Sequence, residues 1–176
     1  MGLQLIFCME TTAKNKSDQM YIWSTIDHFY QVDQAKVKLS PVFMEGKGNY
    51  ASKRVEKRIT DLKKQYAAAS VNNKSVIIYC FDCDDYDHNA EDAGFLIKAE
   101  EYCDKNQYRF VWFCKDIEDV FLGERIANNQ KKKRAESFFA QKSIGNVSLK
   151  RLKEKRYKPH RSNLGVVLDE YLPGKL

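Results

Sequence analysis

The chemistry of this sequence gathers in a few acids that stand just beyond apolar runs. Asp82 and Asp84 follow Val76-Ile77-Ile78-Tyr79-Cys80-Phe81, Glu10 lies two residues past the apolar run 3–8, and Asp116 lies two residues past the run 109–114. Neighbouring carboxylates repel one another when partly dehydrated. A hard divalent cation with oxygen ligands is the usual compensation, and Mg²⁺ takes only a few protein carboxylates while keeping several waters. If the chain stays extended after Phe81, the spacing of two sends Asp82 and Asp84 the same way, where they would share one Mg²⁺ or Mn²⁺. For Asp85, Asp87, Glu91 and Asp92 a solvated loop and helix start suffices, since acids favour a helix N-terminus. Cys80-x-x-Cys83 is half of a zinc pattern without the second pair. Gly46-x-Gly48 reads as a turn, and no Walker sequence is present, so an energy-dependent role would need an ATPase partner subunit.

These acids need elements to position them. Residues 3–8 read as a strand, and Met20, Ile22, Trp23, Ile26 and Phe29 near helical spacing predict a helix over 17–30. Residues 36–44 predict a strand that ends or bulges at Pro41. Val55, Ile59, Leu62 and Tyr66 mark an amphipathic helix over 52–69. The continuous apolar run 75–81 fits a central strand covered on both faces. A helix over 89–106, a strand over 109–114 and a helix capped by Asp116 and running through Ile126 complete the alternation. Strand-helix alternation of this kind predicts an α/β fold with a mostly parallel, Rossmann-like sheet flanked by helices. In such sheets ligands bind beyond the carboxyl ends of the strands, the edge to which the acids fall.

A length of 176 residues suits one compact domain without disulfides or structural metal. Two regions are distinguished, an α/β core over 1–130 and a basic helical extension over 131–176 packed on it. Between Lys131 and Arg161 there are twelve Lys or Arg against Glu136 and Glu154; with a net charge of +6, the rest of the chain is at −4. A basic tail on an acidic body is the pattern of a chain that meets a polyanion. Lys131, Lys132, Lys133, Arg134, Lys150, Arg151, Lys155 and Arg156 are the candidate phosphate contacts, with Lys115 nearer the acids. The opening apolar run is too short for a signal peptide or a membrane span, and of five cysteines Cys8, Cys80 and Cys114 sit near the ends of apolar runs and read as reduced thiols, so a cytoplasmic protein is expected. A homo-oligomer is compatible with the sequence.

The segments 3–12, Phe81-Asp82-Cys83-Asp84 and Phe113-Cys114-Lys115-Asp116-Ile117-Glu118-Asp119-Val120-Phe121-Leu122 together resemble Toprim domains, in particular RloB-like and OLD-type Toprim nucleases of bacterial defence systems. The resemblance covers residues 1–125 in order and spacing. It implies Mg²⁺-dependent cleavage of DNA or RNA, with Glu10, Asp82 and Asp84 as the catalytic and metal-binding acids. Glu118 becomes an additional acid and Asp116 a weaker one. Toprim domains usually follow the glutamate with glycine; here Thr11 stands, so the turn is expected to be made differently. From the residues themselves two rival readings remain: a non-catalytic nucleic-acid- or partner-binding protein, and a phosphoacceptor or nucleotide-binding domain.

Overall fold

The computed structural model describes residues 2–175. Five strands, β1 (Leu3–Met9), β2 (Val37–Phe43), β3 (Lys74–Asp82), β4 (Arg109–Cys114) and β5 (Arg161–Ser162), form one sheet in the order β2-β1-β3-β4-β5. The first four are parallel and β5 pairs antiparallel with β4. Six helices accompany them: α1 (Ser17–Phe29), α2 (Lys53–Ala69), α3 (Ala90–Lys105), α4 (Ile117–Leu122), α5 (Asn128–Ala140) and α6 (Leu164–Leu168). The mostly parallel α/β sheet expected from the alternation is what the chain forms.

Period-two alternation divides the core into two layers. Leu5, Phe7 and Met9 join one cluster with Tyr21, Ile22 and Ile26 of α1, whereas Ile6 and Cys8 join another with Val55, Ile59 and Leu62 of α2 and Leu96 and Ala99 of α3. Right-handed crossovers require this division. The path from β1 to β2 moves one way across the sheet and that from β2 to β3 moves back past β1, so α1 and α2 must cover opposite faces. The strand order therefore reverses between β1 and β3, and their carboxyl ends open a crevice there.

Local chemistry sets the ends of the helices. Ser52 caps α2 at the Val55 amide, Asn89 caps α3 at the Glu91 and Asp92 amides, and Asp116 caps α4 at the Asp119 amide. The helix begun by Asp116 stops at Leu122 rather than reaching Ile126, because Gly123 takes a left-handed conformation (φ 80°) that closes it. β2 runs straight through Pro41, which pairs in register with Phe7. The strand lies at the sheet edge, where a missing N–H on the outer side costs no ladder bond.

The boundary at 130 does not coincide with the start of an element. The basic run Lys131 to Arg134 lies inside α5, which starts at Asn128, and Ala135, Phe138, Leu152, Leu164 and Leu168 are buried in the α1 layer. Each such side chain contributes about 1.5–3 kcal/mol of apolar burial, Ala135 less. All five cysteines are free and buried. Cys80 and Cys83 fall in opposite core layers, so this pair cannot share a zinc ion. Among the described residues, no helix is long and apolar enough to cross a membrane.

Candidate active site

β1 and β3 deliver Glu10 and Asp82 to the two sides of the crevice. The Asp82 amide donates to Glu10 Oε1 at 2.8 Å, and Asp82 Oδ1 accepts from the Ile117 amide at 2.9 Å, in the first turn of α4. One side chain therefore ties β1 to β3 and the other ties β3 to α4. The turn after Glu10 needs no glycine, since Thr11 keeps a negative φ and the left-handed residue of this loop is Lys16 (φ 56°). The Asn15 and Lys16 amides close the loop on the Thr12 carbonyl.

Two further acids join them. Asp18, in the first turn of α1, is only 8% exposed, and Glu118 of α4 is 1% exposed. Burial pushes the Glu10 carboxyl up to about 8, against the pull of the Asp82 amide and with the charges of Asp18 and Asp84 adding to the rise. Burial, reinforced by Glu118, carries Asp18 to about 7. Asp82 is raised well above the carboxylate range by burial and by Glu10, Asp18, Glu118 and Asp116; Glu118 is raised chiefly by burial. Asp82 feels the charge of each of the other three, so the four acids form one electrostatic unit.

Asp84 takes a different course. Its φ of 50° ends the extended path, so Asp82 and Asp84 do not continue as one strand face. The Asp84 carboxylate pairs with the Lys47 ammonium, which also lies 3.2 Å from Asp92. Lys47 sits in the loop that the sequence marks only as a turn, and the Gly46 amide bonding to the Glu10 carbonyl fixes that loop at the site. Asp116 is 4% exposed and faces Arg125 at 3.5 Å and Lys131 at 3.9 Å. Lys131 stands 3.0 Å from Glu118 Oε2, an ion pair by distance although that oxygen has no aligned hydrogen bond. Burial would lower the Lys131 ammonium, yet the charges of Glu118 and Asp82 outweigh it and raise the group.

Several of the candidate phosphate contacts are committed to acids of the chain itself. Lys131 faces Glu118 and Asp116, Lys115 faces Asp85 and Asp87, Lys132 lies 3.9 Å from Glu136, and Arg134 bonds Glu124. The Arg151 guanidinium points inward to the Val120 carbonyl. Lys133, Lys150, Lys155 and Arg156 are exposed. Asp18, Lys47 and Arg125 are the site residues that sequence reasoning missed. Only Asp18 had a cue, as an acid at a helix start, and that cue is shared with many surface residues.

Among the described residues, no group of three Asp, Glu, His or Cys side chains forms a finished metal cage. The donor set nonetheless fits a hard cation. It is all oxygen, and Thr11 Oγ1, Asn15 Oδ1, Ser17 Oγ and Tyr21 Oη, on the loop and first turns that carry Asp18, are buried without a hydrogen-bond partner. Thus the fold and site define an α/β protein with a buried acidic centre at the topological switch point. Compared with known proteins, the chain matches no family model, and no curated protein or solved structure is significantly similar to it.

Proposed function

We infer that this protein is a Mg²⁺- or Mn²⁺-dependent, Toprim-like nuclease that hydrolyses phosphodiester bonds at the β1/β3 crevice. The observation that carries the reading is the direct link of Glu10 to Asp82 across the switch point, with Asp18 and Glu118 buried beside them. Acids gathered this way have raised proton affinities, which is the state of a site short of positive charge. Glu10 and Asp82 would hold the cation, with Asp18 and Glu118 alongside. When bound there, it supplies the charge that draws a phosphodiester into an acidic crevice and polarises the phosphoryl oxygen.

The residues of the chain perform the remaining tasks. Where it is not itself on the cation, Glu10 would exchange a proton with the attacking or leaving oxygen. Asp82 is held by the Ile117 amide, which fixes the carboxylate at the mouth of the crevice. Lys47 and Lys131 bring positive charge to different acids of the site. A role in a bacterial defence assembly with an ATPase partner accords with the family resemblance.

A second reading follows from those same lysines. As internal counter-ions for Asp84, Glu118 and Asp116, they would let the centre persist without a metal, in a non-catalytic binding protein of this fold. Cleavage of end-labelled single-stranded and duplex DNA and RNA, with Mn²⁺ or EDTA, separates the two. The nuclease reading expects Mn²⁺-dependent products that are lost in Asp82→Asn. Equal activity in that variant, or no cleavage of any substrate by the wild type, contradicts it.

A further inference from the structure

Free positive charge is not confined to the C-terminal tail. α2 carries Lys53, Arg54, Lys57, Arg58, Lys63 and Lys64 against only Glu56 and Asp61. Its apolar stripe, Val55, Ile59, Leu62 and the half-buried Tyr66, faces the sheet. At 100° per residue the opposite side of the helix is Lys53, Lys57, Thr60 and Lys64, at spacings of four, three and four, with no acid among them. All four are exposed. Among the described residues, Lys53, Lys57, Arg58, Lys63 and Lys64 take part in no ion pair; Lys131, Lys132, Arg134 and Lys153 of the C-terminal region are paired while Lys133, Lys150, Lys155 and Arg156 are not, but only on α2 do the unpaired cations line one face of a regular helix.

The stripe is also placed to lead into the crevice. The loop before α2 carries Lys47 and is anchored to Glu10 through the Gly46 amide. Arg54 fastens the first turn of the helix to the carboxyl end of β2 by bonding the Phe43 and Met44 carbonyls. From there Lys53 to Lys64 covers about 16 Å along the axis, with Lys57 about 6 Å from Lys53 and about 10 Å from Lys64.

We propose that the exposed face of α2 is the surface that tracks a nucleic-acid backbone toward the acidic crevice. Unpaired lysines in a row neutralise phosphates along one backbone and release their counter-ions, which gives sequence-independent, salt-sensitive binding. The inference rests on the reading of the crevice as a phosphodiester site, but binding to α2 is measurable without cleavage.

The test is fluorescence anisotropy of labelled single-stranded and duplex oligonucleotides in EDTA over a range of NaCl. It compares the wild type, a Lys53→Glu/Lys57→Glu/Lys64→Glu variant and a Lys150→Glu/Lys155→Glu/Arg156→Glu variant, each checked for an unchanged thermal midpoint. The α2 variant is expected to bind about tenfold or more weakly, and its slope of log affinity against log salt to fall by about 2 to 3, as three lost phosphate contacts require. The tail variant should stay within about threefold of the wild type. Loss confined to the tail variant overturns the proposal, as do absence of oligonucleotide binding by the wild type and α2-dependent binding to anionic phosphatidylserine vesicles in its place. Binding that depends on α2 in a protein that never cleaves with Mn²⁺ supports this surface and contradicts the nuclease reading alone.

Discussion

Replacing Glu10 by Gln should make the protein more stable in alkaline solution without metal. The amide keeps Oε1 as an acceptor for the Asp82 N–H and removes only the charge. Glu10 moves from an ordinary 4.5 to about 8 in the folded state. A carboxyl with a raised folded pKa gives stability that is complete below its unfolded value and is lost as pH rises through the folded one. At 1.36 kcal/mol per pH unit the full displacement corresponds to about 4–5 kcal/mol, and sharing of protons with Asp18 and Asp82 reduces what Glu10 alone carries to about 2 kcal/mol. For a chain of this length that is about 4–8 °C in thermal midpoint. Urea and thermal unfolding in EDTA at pH 5, 7 and 9 should show Glu10→Gln overtaking the wild type as pH rises, with Mn²⁺ stabilising the wild type selectively. A stability difference that does not change between pH 5 and 9 would refute the reasoning.

Other consequences concern the surroundings of the centre. Lys131→Met leaves Glu118 buried without its cation and should cost about 3 kcal/mol at pH 8, much less at pH 4.5 where the carboxyl is protonated; denaturant titrations at both values check it, and an equal cost at both counts against the ion pair. Phe138→Ala removes a ring packed 5.0 Å from Tyr21 and 5.8 Å from Phe121, centre to centre, and should cost about 3–5 kcal/mol in a single cooperative transition. Retention of the wild-type midpoint, or a second separate transition, would show that α5 is not part of the core that positions the site.

The parts of the fold that were legible are those encoded in contiguous pattern. Apolar runs ending at Cys8, Phe81 and Cys114 marked three neighbouring strands, and the acids after them had to lie at one edge because parallel strands end together. Asp116 was legible as a cap because its amide partner is three residues away. Asp84 was misplaced because its direction depends on a left-handed backbone that no local residue dictates. Pro41 seemed to end a strand because edge status is a property of the whole sheet. α5 begins before the basic run, at Ala127 and Asn128, with no side-chain cap to announce it. The contacts of Lys47 with Asp84 and of Lys131 with Glu118 span long stretches of chain, so their charges read as free from sequence although the fold pairs them. Asp18 was hidden for the converse reason: a common surface position became buried only when α1 packed beside α4.

The measurement that tests the central claim most directly is calorimetric titration of Mn²⁺ into the wild type and Asp82→Asn at pH 7 in two buffers of different ionisation enthalpy. Metal that binds acids still holding protons must release them. The account predicts saturable binding to the wild type with release of about one proton, both lost in the variant; absence of a saturable site, or binding of equal strength and proton release in Asp82→Asn, would contradict it.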